Sequence, residues 1–81
     1  MLKLEVKSKQ SPKKVVDQLK TFFGNGGLGL DLNEESSDCL SFQGGGGYVT
    51  AAVCPEGNGS RIEFVTQEWD YQVKKIAAEI S

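Results

Sequence analysis

Residues 39–65 read CLSFQGGGGYVTAAVCPEGNGSRIEFV, and this stretch decides the fold. Apolar side chains recur at every second position: Leu40 and Phe42, then Val49, Ala51 and Val53, then Ile62 and Phe64. That is the period of strands with one buried face. Gly44 to Gly47 and the turn Pro55 to Ser60 cut it into three strands, over 39–43, 48–54 and 61–65. A one-residue slip would turn every side chain to the wrong face, so burial alone restricts the pairing. For the first hairpin two registers satisfy burial. One makes Gly46-Gly47 a two-residue loop and sets Leu40 opposite Val53, Phe42 opposite Ala51 and Cys39 opposite Cys54. The other makes all four glycines the loop and sets Cys39 opposite Ala52. For the second hairpin the same requirement sets Val53 opposite Ile62 and Ala51 opposite Phe64. A run of four glycines exceeds what a two-residue turn demands. It reads first as a hairpin with flexible flanks, and second as a place where a ligand or a partner's backbone approaches closely.

Outward from this meander the pattern continues. Leu2, Leu4 and Val6 alternate with Lys3, Glu5 and Lys7, a half-buried first strand. Ser11 caps a helix with Pro12 at its first position, and Val15, Val16, Leu19, Phe22 and Phe23 form its apolar face. Gly24 is expected to end it in a left-handed conformation. Leu28, Leu30 and Leu32 alternate again as a second strand, with 33–38 a polar turn. Trp69, Val73, Ile76, Ala77 and Ile80 define a closing amphipathic helix, with Thr66 as the expected cap.

The expected architecture is therefore α+β, a two-layer β-α-β-β-β-β-α domain. Its five-stranded sheet is mainly antiparallel, in the preferred order 1-5-4-3-2, with both helices on one face. The other arrangement is 5-4-3-2-1, with the first two strands parallel through a right-handed crossover. In topology this order resembles the TATA-binding and helix-grip folds, and a fold by itself implies no function.

The chain has 81 residues, a net charge of −2 and 38% hydrophobic residues, enough for a single domain spanning 1–81 with a modest core. No apolar run suits a secretory leader or a membrane span. Two cysteines outside any CxxC spacing suggest reduced thiols and a cytoplasmic location. Histidine is absent, which removes the commonest general base and the commonest metal ligand. With no paired acid and base and no activated nucleophile in view, no enzymatic activity, metal or cofactor is expected.

Three stretches imitate chemistry without its context. Residues 24–29, GNGGLG, match GxGxxG but follow a helix and precede a strand, the reverse of a dinucleotide loop. Gln43 to Tyr48 lacks the lysine and Ser/Thr of a P-loop. Asp31 to Glu35 begins like a calcium loop, yet Ser36 stands at its sixth position and Phe42 at its twelfth. Cys39 and Cys54 share a face and read as packing thiols, or in the first register as a reversible redox pair.

Charge is unevenly spread, with six lysines among residues 1–20 and eight acids against Arg61 among residues 31–70. The lysines raise nucleic-acid binding. Net acidity, a single arginine and Tyr48 as the lone stacking platform on the open sheet face argue against it. The first expectation is an interaction or regulatory module whose partner is another protein or a second copy. Its candidate contacts are Tyr48 on the open face and Tyr71, Lys74 and Ala78 on the outward stripe of the last helix. Lys3, Glu5 and Lys7 are edge charges that discourage open-ended pairing. The alternative, implied by the helix-grip resemblance, is a small apolar ligand held between sheet and C-terminal helix by Phe22, Phe42, Phe64, Trp69 and Val73.

Overall fold

The computed structural model of the chain describes residues 1–24, 27–36 and 39–81. Its elements are β1 (Leu2–Ser8), α1 (Pro12–Phe23), β2 (Asp31–Glu35), β3 (Cys39–Gly44), β4 (Gly47–Glu56), β5 (Gly59–Gln67) and α2 (Asp70–Ile80). The five strands form one sheet in the order β1-β5-β4-β3-β2, every neighbour antiparallel. No helix among the described residues is long and apolar enough to cross a membrane.

Burial dictates this arrangement. Leu4, Phe64, Ala51 and Leu40 follow one another across β1, β5, β4 and β3, and Val6, Ile62 and Val53 form the next row. The helices close over these rows. Val15, Leu19 and Phe23 of α1 and Val73, Ile76, Ala77 and Ile80 of α2 are buried with them in one core. Phe23 meets Phe42 with ring centroids 5.4 Å apart and Phe22 at 5.0 Å edge-on, separations at which aromatic pairs attract beyond their buried area. Among the described residues, every buried side-chain nitrogen or oxygen has a hydrogen-bond partner.

Ser11 starts α1 as expected, its hydroxyl accepting from the Lys14 amide at 3.4 Å with Pro12 following. The register of β4 on β5 is the expected one, Val53 facing Ile62 and Ala51 facing Phe64.

One choice left open by the sequence is settled by the structure, and three further details differ from expectation. In the first hairpin Gly44 pairs with Gly47, Leu40 faces Ala51, Phe42 faces Val49 and Cys39 faces Ala52. The loop is thus Gly45-Gly46, and the register placing Cys39 against Cys54 is not formed. Second, Gly24 is extended, at φ −85° and ψ −154°, rather than left-handed. A glycine is needed there because a Cβ would collide with the Lys20 carbonyl oxygen.

Third, residues 28–30 are not strand. The Leu28 and Leu30 amides donate to the carbonyls of Phe22 and Phe23 at 2.9 and 2.8 Å, so the end of α1 captures them before the sheet does. Pairing begins at Asp31 and runs through Asn33 to Glu35, residues expected to turn. Ser37 and Asp38 of that expected turn lie outside the described residues. Fourth, Thr66 is not the cap of α2. It is buried inside β5 and its hydroxyl donates to the Tyr48 carbonyl at 2.8 Å, while Trp69 stands at the N-cap with no side-chain capping bond.

Candidate functional site

The two edges of the sheet are built differently. β2 is five residues long, exposed throughout, acidic at Asp31, Glu34 and Glu35, and interrupted by a bulge between Leu32 and Glu34. The bulge shifts the strand's phase, so that Glu35 turns to the helix side and ion-pairs with Lys20 of α1. On the opposite face Asn33 Nδ2 donates to Gln43 Oε1 at 2.6 Å. Short length, charge and a bulge are the devices that keep an edge from pairing further.

β1 has none of this irregularity. Its seven residues pair continuously with β5, and among the described residues its outer side has no neighbouring strand. Leu2, Leu4 and Val6 end the apolar rows of the core and stay half-buried, whereas Phe64 and Ile62, their neighbours on β5, are buried. On the open face Glu5 lies directly opposite Glu63, and Lys7 opposite Arg61. Like charges in facing positions repel. Lys7 finds an opposite charge in Glu56 at 3.8 Å. The row of Glu5 continues through Glu63 to Ala52 and Cys39, with no cation in it.

The glycine run acquires an account at the far end of β3 and β4. Gly45 and Gly46 have φ of +60° and +82°, the paired positive values of a type I′ hairpin turn. A Cβ on Gly45 would also stand 2.7 Å from the Trp69 ring, and one on Gly44 2.6 Å from Leu30 Cδ2. Gly47 lies where a Cβ would strike the Gln67 carbonyl oxygen. The four positions thus serve one turn and three close approaches, all of them within this chain.

The residues expected to line an apolar pocket are split. Phe42, Phe64 and Val73 are buried in the packed core, and Trp69 packs at its margin with its indole N–H on the Gly44 carbonyl. Phe22 lines a cleft away from the space between sheet and C-terminal helix. It is an open groove of about 610 Å³ between α1 and α2, floored by Phe22, Ile76 and Ile80 and rimmed by Asp17 and Glu79. Ile76 and Ile80 belong to the core, as expected, and also line this groove.

Of the proposed contact residues, Tyr48 is half-buried on the open face between Gln67 and Gln43, and Tyr71, Lys74 and Ala78 are exposed on α2. Cys39 and Cys54 are free and half-buried on the open face, facing Ala52 and Arg61 respectively. The lysines do not converge: Lys3 and Lys7 lie on the open face, and Lys13, Lys14 and Lys20 on α1 in the opposite layer. The Asp31–Glu35 segment is strand rather than a cation loop. Of the GxGxxG stretch, Asn25 and Gly26 lie outside the described residues.

Comparison with protein families, with curated proteins and with solved structures finds no match to this chain.

Proposed function

We propose that this chain is a non-catalytic interaction module that takes up its partner as an added strand along β1. Strand addition draws affinity from main-chain hydrogen bonds and specificity from alternate side chains. The observation that carries this reading is the contrast between the edges: β1 long, regular and ending in half-buried Leu2, Leu4 and Val6, β2 short, bulged and acidic. An extended segment alternating apolar and charged residues fits β1, since its apolar side chains would complete the rows that stop there.

The test is an NMR titration of the labelled chain with a blocked peptide of residues 1–8, up to about 1 mM. Shifts confined to β1 and its β5 neighbours are expected. Shifts centred on β2 or the helices, or none at all from a chain that sediments as a monomer, would remove the proposal.

A second reading, a small apolar ligand, is favoured by the cleft over Phe22, Ile76 and Ile80. A neutral solvatochromic dye should bind there and lose its signal in Phe22→Ser. Dye binding that is unchanged in this variant would exclude the cleft.

A further inference from the structure

From the charges of β1 we infer that its occupant is a second copy of this chain, paired antiparallel about a two-fold axis at Leu4. The inference rests on the strand-addition reading and names the partner. In an antiparallel pair facing residues share a face, so leucines must meet leucines and charges must meet charges. Three registers are available. The one with the longest overlap places Glu5 against Glu5 and Lys3 against Lys7, all of like sign. Sliding toward the C-terminal end gives Glu5 against Lys7 but sets Leu4 against Ser8. Sliding the other way gives Lys3 against Glu5 twice, Leu2 against Val6 twice, and Leu4 against Leu4. This register alone joins opposite charges and extends every apolar row.

The partner strand also relieves a defect within the monomer. Glu5 faces Glu63 inside its own sheet, and Lys3 of the second copy would supply the cation on its other side. The assembly closes after two copies, because both β1 edges are consumed and the outer edges are the bulged, acidic β2 strands. The alternating charges of β1 thus select one partner register, and with it a closed dimer in place of a growing sheet.

Sedimentation velocity on the full chain, from about 1 μM to about 1 mM, reads the outcome. A monomer–dimer equilibrium is expected. Lys3→Glu or Glu5→Lys alone sets like charges against each other and should weaken it by about tenfold or more. The double variant Lys3→Glu/Glu5→Lys restores the pairs and should return the wild-type constant to within about threefold. Neither substitution threatens the monomer, since position 3 faces Val65 and a lysine at position 5 would face Glu63. A wild-type chain that stays monomeric, grows beyond a dimer, or dimerises more tightly as Lys3→Glu overturns the inference. A monomer whose β1 still takes up the peptide of residues 1–8 overturns the second copy but leaves strand addition standing. A monomer with an inert β1 removes both.

Discussion

The indole Nε1–H of Trp69 donates to the carbonyl oxygen of Gly44 at 2.9 Å, joining residues twenty-five positions apart. The bond ties the glycine hairpin to the junction between β5 and α2. The junction itself is tight: Glu68, immediately before Trp69, has φ of +75°, a left-handed conformation that costs a non-glycine residue about 1 kcal/mol or more. Trp69→Phe removes the donor and part of the ring contact. Loss of about 1–2 kcal/mol of stability is expected, read as a lower urea midpoint with an unchanged slope.

The glycines of the hairpin should rank by what each would meet. Gly46→Ala costs only the left-handed strain, about 1 kcal/mol, because a Cβ there has open space. Gly45→Ala adds a collision with the Trp69 ring. Gly47→Ala meets the Gln67 backbone, which cannot rotate away, and should be the most damaging, at about 2 kcal/mol or more. Urea denaturation of the three variants checks the order. A Gly46 variant less stable than the other two would contradict the turn geometry.

Cys39 faces Ala52, so the two native thiols do not form a facing pair across the hairpin. Diagonal neighbours on antiparallel strands lie about 7–8 Å apart, beyond disulfide reach without backbone movement. Exposure to glutathione disulfide should leave no bridge between Cys39 and Cys54 within one chain, as read by thiol titration and intact mass. Rapid formation of that bridge would show that the hairpin samples the other register.

Lys20 and Glu35 link α1 to a strand that is otherwise exposed along its whole length. Both side chains are more than a third exposed, so Lys20→Ala should change global stability by no more than about 0.5 kcal/mol. Hydrogen exchange is the sensitive measurement. The amides of 31–35 should exchange faster in the variant while those of β4 and β5 stay unchanged. Uniform acceleration across the sheet would refute this local role.

Much of the fold follows from periodicity and burial, which are properties of neighbouring residues. Leu2, Leu4 and Val6 announce a strand, Val15 to Phe23 a helix, and Val53 and Ile62 a register, because water excludes the wrong parity wherever one face is covered. Strand order was a preference between two, because 5-4-3-2-1 hides the same apolar faces; the observed order is the one in which α1 crosses the sheet and every neighbour is antiparallel. The site was less legible. Sequence placed the first strand at an edge with charges that discourage pairing, whereas the alternation of Lys3, Glu5 and Lys7 gains meaning only beside Glu63 and Arg61.

Sequence by itself therefore determined which faces are apolar, how many strands and helices they form, and how β4 meets β5. Tertiary structure alone decided between two hairpin registers that bury the same side chains. There Trp69 seated against Gly44 and Gly45, and Gln67 close upon Gly47, supply contacts that no local pattern encodes. It also decided where β2 begins, since the carbonyls ending α1 claim the amides of Leu28 and Leu30 first. In both cases the apolar periodicity is satisfied by either arrangement; the choice falls to the Trp69 and Gln67 contacts across the sheet for the hairpin, and to the carbonyls at the end of α1 for β2.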